Sequence, residues 1–193
     1  MQCLVERRRG GETGVRSVEA LRGDRVWQAL DDGAWDPALF EACLCRSHSL
    51  KPADETHRHT YPTREELPTL VERDPVAYQI EYTDGLRGTM LLLSGLVHDI
   101  TAAVQIKGQI KPLSTLFYLG AGHHMQPNFF NPLSRHIEEL MLTGRTPYPI
   151  ERTLLTTGMT IVGVESLWQG QKLDTPHLDI GYRVTEASTF RRT

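Results

Sequence analysis

Two histidine pairs, His57-x-His59 and His123-His124, and the step His98-Asp99 are the places where side chains of this chain could do chemistry. An imidazole ligates zinc, so each pair could in principle supply metal ligands, with His98 and Asp99 nearby on a strand. Both pairs have generic spacing, lie in or beside loops and bring no fixed acidic ligand, so no metal site is expected. His98 shares one face of an alternating segment with five apolar residues. A histidine there is either satisfied internally near a strand end or contacts substrate. By face and polarity, His98, Asp99, His123, His124 and Arg152 are the candidate substrate-binding residues, and no residue is assigned a catalytic role.

Arg7-Arg8-Arg9 followed by Gly10-Gly11 invites comparison with a phosphate cradle. Anion sites use helix N-termini, where backbone N–H groups are unsatisfied, whereas these glycines follow a helix C-terminus. A charged, solvated helix end, paired with Glu6 or Glu12, is the expected arrangement. The compact catalytic signatures are missing from the sequence. It has no G-x-G-x-x-G opening a βαβ unit, no G-x-x-x-x-G-K-[ST], no G-x-S-x-G, no H-E-x-x-H and no paired C-x-x-C.

A chain of 193 residues suits one domain with a real core. A net charge of −3 supplies no general field for nucleic acid, and no run of apolar residues is long enough for a membrane span. Three cysteines leave an odd count and no disulfide framework, which suits a reducing cytosol. On a helix Cys43 and Cys45 point about 200° apart, so they are expected as small buried residues. The expected location is cytoplasmic, with neither nucleic acid nor membrane as partner.

The elements that must position these residues follow from periodicity. Residues 1–9 read as the end of a connecting helix, 15–21 as a strand, and 25–30 and 37–47 as helices, the second capped by Asp36-Pro37. Residues 47–75 carry four prolines and read as a long surface excursion with one helical turn near 64–67. VAYQIEYT (76–83) alternates cleanly, Asp84-Gly85 signals a hairpin, and strands over 86–95, 96–108 and 113–119 complete a four-stranded antiparallel meander. Two helices follow. The first, from Asn131-Pro132 to Gly144, has its stripe at Leu133, Ile137, Leu140 and Met141. The second, after Pro149, has its stripe at Ile150, Leu154, Ile161, Leu167 and Trp168. Gly158 and Gly163 inside the second cost about 1 kcal/mol each against alanine, which predicts close packing on the sheet or on another helix. A short strand at 176–182 precedes a polar, fraying tail over 183–193. The class is α+β, a predominantly antiparallel sheet with helices packed on one face, in a single domain over 1–193.

VERRRGGETGVRSV (5–18), YTDGLRGTMLLLSG (82–95), HIEELMLTGRTPYPIERTLLTTG (136–158) and LDTPHLDIGY (173–182) resemble one family. It is the C-terminal domain of Gfo/Idh/MocA-type oxidoreductases, the glucose-fructose oxidoreductase and inositol dehydrogenase group. The likeness covers nearly the whole chain and is weakest across 47–75. It implies an NAD(P)-dependent parent enzyme acting on a sugar- or polyol-like substrate, with the cofactor on an N-terminal Rossmann domain. The Glu-Lys-Pro motif and the active-site histidine of that family have no counterpart here.

Hydride transfer requires a cofactor held by protein, so the chain alone is expected to bind no cofactor and to be inactive. NAD or NADP is expected in full-length relatives. The leading expectation is a substrate-binding and oligomerisation domain, a homo-oligomer through a sheet face bearing Gln79, Glu81, Thr101, Gln105 and Lys107. A free-standing, non-redox sugar or polyol module and a metal-dependent isomerase or hydrolase are the other readings.

Overall fold

The described part of the computed structural model comprises residues 1–52, 61–117 and 130–184. One helical turn, α1 (Gln2–Val5), leads through glycine turns into β1 (Val15–Arg22). Three short helices follow, α2 (Asp24–Asp31), α3 (Pro37–Leu44) and α4 (Leu67–Leu70), then four strands, β2 (Val76–Tyr82), β3 (Arg87–Leu92), β4 (Ile100–Val104) and β5 (Leu113–Phe117). Two longer helices, α5 (Asn131–Thr143) and α6 (Ile150–Gln169), precede β6 (Leu173–Asp174) and a 3-10 turn at Pro176–Leu178. The strands form an antiparallel sheet in the order β3-β2-β1-β6 and a separate antiparallel ribbon of β4 and β5. The fold is mixed α+β with antiparallel pairing throughout, as the sequence predicts.

Local chemistry accounts for the boundaries. The Asp36 carboxylate accepts the Ala38 N–H at 2.8 Å, and Pro37 fills the first position of α3. Asp84-Gly85 turns β2 into β3, with register from Val76 opposite Leu92 to Glu81 opposite Arg87. Gly144 and Gly170 end α5 and α6 in left-handed conformation.

Two cores lie against opposite faces of the main sheet, so helices cover both faces instead of the one expected from the sequence. Val18 pairs with Ile80 and Leu21 with Ala77, and because successive side chains alternate, these two pairs face opposite ways. Val15, Val18, Ile80 and Tyr82 pack with Leu155, Met159 and Val162 of α6 and with Leu178 and Tyr182. Leu21 and Ala77 instead join Val26, Trp27, Leu30 and Leu44 of α2 and α3, with Leu67 and Leu70 of α4 and Leu93 and Leu96. The glycines of α6 serve the close approach expected of them. A Cβ at Gly158 would fall 2.3 Å from Leu178 Cδ2, and one at Gly163 would fall 3.1 Å from the Tyr78 ring. Ser166, also on this face, accepts the Ala20 N–H at 2.8 Å and donates to the Gln171 carbonyl at 2.6 Å. It thereby satisfies a backbone donor of β1 beyond the end of the two-residue β6.

Several sequence expectations are corrected. The helix of 1–9 is α-helical only over Gln2–Val5. Arg8, instead of being solvated, folds back onto Glu12 and Asp84 with its guanidinium over the Tyr82 ring. Residues 47–75 are not simply a surface excursion, since Leu50, Leu67, Leu70 and Val71 belong to the first core. Arg64 ties the segment to α2 through Asp31 at 2.7 Å and by stacking on Trp27.

The long strand over 96–108 shrinks to Ile100–Val104. Before it, Gly95 takes φ +94°, Leu96 N–H bonds the Leu93 carbonyl, and the Leu96 carbonyl accepts Lys51 N–H. Those bonds occupy the backbone groups that a ladder would need, and the four-stranded meander therefore breaks between β3 and β4. Gln79 and Glu81 consequently lie on the main sheet and Thr101 on the ribbon, while Gln105 and Lys107 lie beyond β4. The strand expected at 176–182 is a 3-10 turn followed by a single bridge between Glu12 and Tyr182. Finally, the buried stripe of α6 is Leu155, Met159, Val162, Gly163 and Ser166, and the expected stripe faces outward except at Leu167.

Candidate functional site

Two polar clusters stand out among the described residues. The first ties the turn after α3 to the two residues that precede β4. Asp99 Oδ2 accepts from the Ser47 hydroxyl at 2.8 Å, from His48 N–H at 2.6 Å and from Ser49 N–H at 2.9 Å. His98 N–H in turn donates to Ser49 Oγ at 2.8 Å. The Ser47 hydroxyl bond, with the Ser49 hydroxyl and the two amides, holds the Asp99 carboxyl below the ordinary carboxylate range despite some opposing burial. His48 and His98 are both exposed, and each meets the clamp through its backbone N–H. His98 precedes β4 instead of sharing an apolar face with it. The arrangement fixes the backbone of 47–49 against the residue before β4 through one carboxylate oxygen.

On the same flank, burial pushes the Cys43 thiol up, against a hydrogen bond from Thr101 that lowers it. It is kept as a neutral, half-buried side chain, while Cys45 is exposed.

The sign of the Asp99 effect is testable. A carboxylate whose folded-state pKa is depressed stabilises the fold above its unfolded pKa, and that contribution fades as pH falls through the folded value. Amide protection at His48 and Ser49, corrected for intrinsic exchange, is expected to drop on acidification below the ordinary carboxylate range. Asp99→Asn should lack this dependence. Protection at these two amides that ignores pH would contradict the clamp.

The second cluster is buried. Arg152 holds Glu6 through both carboxylate oxygens, the Nε contact at 2.8 Å, and the Tyr182 hydroxyl donates to Glu6 Oε2 at 2.8 Å. Gln2 Nε2 donates to Tyr182 Oη at 2.9 Å and to Glu12, and Tyr82 donates to Gln2 Oε1 at 3.2 Å. Glu12 also accepts Arg8 and the amides of Thr13 and Gly14, the latter two at 2.8 and 2.9 Å. Burial pushes both phenols up, so Tyr82 and Tyr182 remain neutral donors at neutral pH. Burial pulls the Arg152 guanidinium down, but the hydrogen bond and charge of Glu6 together with Tyr182 outweigh this, and the net shift is upward. Every charge has an opposite partner, as a buried network requires.

Of the candidates read from sequence, His98 and Asp99 come together in the first cluster, while Arg152 sits in the second, gripping Glu6 and stacked on Tyr148. His123, His124, His57 and His59 lie outside the described residues. Among the described residues no group of three or more His, Cys, Asp or Glu side chains is placed to hold a metal ion. Sequence reasoning missed Ser47, Ser49, Gln2 and Tyr182. The Ser-His-Ser triplet at 47–49 was its one local signal, while Tyr182 lies 176 residues from Glu6.

These features define an α+β domain with an antiparallel sheet, a buried ionic network joining its two ends, and an exposed Asp-His cluster. No protein-family model, no curated protein and no solved structure matches the chain. No helix among the described residues is long and apolar enough to cross a membrane.

Proposed function

We propose that the chain is the substrate-binding and oligomerisation domain of a Gfo/Idh/MocA-like NAD(P)-dependent oxidoreductase, catalytically incomplete alone and directed at a sugar- or polyol-like substrate. One observation carries this reading. The four stretches that carry the resemblance lie far apart in sequence, yet all contribute to the buried network. The first supplies Glu6, Arg8 and Glu12, the second Tyr82 and Asp84, the third Arg152 and the fourth Tyr182.

Two further features agree with it. His48 and His98 are exposed and carry ring nitrogens that can hydrogen-bond a polyol, and α5 and α6 turn apolar side chains to solvent, as interaction domains do. Asn131, Ser134, Arg135 and Glu138 make an open polar patch along α5.

A thermal-shift panel tests the reading. A sugar or polyol at 100 times its Kd stabilises by about 2.7 kcal/mol, which for a chain of this size raises Tm by several degrees. The expected result is such a rise with a polyol and none with NAD(H) or NADP(H). A nucleotide-induced rise in the isolated chain, or flat responses across all sugars and polyols, would overturn it. Bound zinc or manganese found by elemental analysis would favour the metal-dependent alternative.

A further inference from the structure

α6 is a helix with two apolar faces. Its inner face is packed on the sheet through Leu155, Met159, Val162, Gly163 and Ser166. Its outer face presents Ile150, Leu154, Thr157, Ile161, Val164 and Trp168 to solvent, at alternating spacings of four and three. That is a heptad seam running the length of the helix, about 30 Å at 1.5 Å per residue. An isolated exposed leucine needs no explanation, but an apolar seam of this length, interrupted only at Thr157, does.

We infer that the outer seam of α6 binds the same seam of a second copy of this chain, forming a two-fold dimer with the two helices parallel. The inference rests on the oligomeric part of the function proposed above and assigns it a surface. A heptad seam is met best by another helix with the same repeat, and an identical chain supplies one by a two-fold operation. The inner face is anchored on the sheet, so the seam is held rigid before association. The area is also of the right order. Trp168, 90% exposed, presents on the order of 200 Å². With four aliphatic side chains, each at least 60% exposed, and the flanking threonines, the strip approaches the roughly 800 Å² per partner of a standard interface.

Charge selects the orientation. Glu151, Gly158 and Glu165 flank the seam on one side, and Thr153, Thr160 and Leu167 on the other. An antiparallel pair would set Glu151 of one copy near Glu165 of the other, like against like. A parallel pair sets Thr160 opposite Glu165 and Thr153 opposite Gly158, with no repulsion. By contrast, the sheet face carrying Glu81 is occupied by ion pairs to Arg16 and Lys172.

The test compares the wild-type chain with Ile161→Glu by analytical ultracentrifugation, with circular dichroism confirming the fold. Val164→Lys serves as a second variant on the same face. The expected result is a wild-type dimer and folded monomers for both variants. In the parallel arrangement Thr157 meets its own copy, so Thr157→Cys should form a disulfide-linked dimer on oxidation, above any background from the exposed Cys45 of the wild type. A wild-type chain that stays monomeric at its highest soluble concentration would overturn both the seam and the oligomerisation reading. A dimer that survives both charged variants would overturn the seam alone and leave that reading standing. Loss of the dimer in the variants without the Thr157→Cys crosslink would overturn the parallel arrangement.

Discussion

Glu6→Ala is expected to destabilise the protein by roughly 3–5 kcal/mol, the usual loss when one partner of a buried ion pair is removed. Glu6 is 1% exposed and the Arg152 side chain 20%, so water screens the orphaned guanidinium a little and the lower half of that range is expected. The loss is more than Coulombic. The Tyr182 hydroxyl loses its acceptor at the same time, and burial has raised its pKa, so it cannot shed the proton instead. Chemical denaturation of the single variants and of Glu6→Met with Arg152→Met checks the argument. The double variant should recover much of the loss, because two apolar side chains leave no buried charge unpaired. A Glu6→Ala cost within the surface range, below about 1 kcal/mol, would mean that the pair is solvated.

Gly14→Ala is expected to cost a similar amount for a different reason. Gly14 has φ +97°, and a Cβ built there would lie 2.7 Å from Ile180 N, 2.8 Å from the Leu178 carbonyl oxygen and 2.9 Å from Asp179 Cα. All three are backbone atoms and cannot rotate away. The left-handed conformation costs a side chain roughly 1–2 kcal/mol, and forcing an overpacked core apart costs roughly 1–3 kcal/mol more. The sum approaches the whole margin of a marginal domain, so loss of soluble, cooperatively folding protein is also within expectation. Gly10→Ala is the matched control. It shares a positive φ of +99° but has nothing within 4 Å of its Cβ position, so it should show the conformational cost without the clash. Equal Tm losses for the two variants would remove the steric part of the argument.

Both predictions concern the stretch Glu6 to Gly14, which the sequence presents as a solvated helix end and a glycine turn. Charge sign and the pairing of Arg8 with Glu12 were legible there, because those residues are four apart and meet locally. The partner of Glu6 was not, since Arg152 lies 146 residues away and no local pattern links the two. Asp99 shows the same division. Its place beside His98 was plain, but its donors Ser47, His48 and Ser49 arrive from about 50 residues upstream through a turn that only the packed core positions. The start of the strand after Gly95 was misread because LVHDITAAVQIKG alternates well enough for a strand, while Leu96 is held in a core contact by backbone bonds to Leu93 and Lys51.

The helices mark the limit most clearly. Their existence and their ends follow from caps, prolines and glycines, whose effects are local and act within a turn or two. The close approach at Gly158 and Gly163 was also legible, because glycine inside a long helix costs stability that only packing can offset. The orientation of α6 was not. The helix carries apolar residues on two faces, and periodicity alone scores both. The sheet selected the face with the glycines and Ser166, where a small cross-section lets the backbone approach and a hydroxyl meets the Ala20 amide. The sequence by itself therefore determined the class, the capped start of α3, the glycine stops of α5 and α6, and the charged partners that are neighbours along the chain. Tertiary structure decided which apolar face was buried, which carboxylate met which arginine, and where the meander broke, because those choices rest on contacts between segments whose separation along the chain carries no local signal.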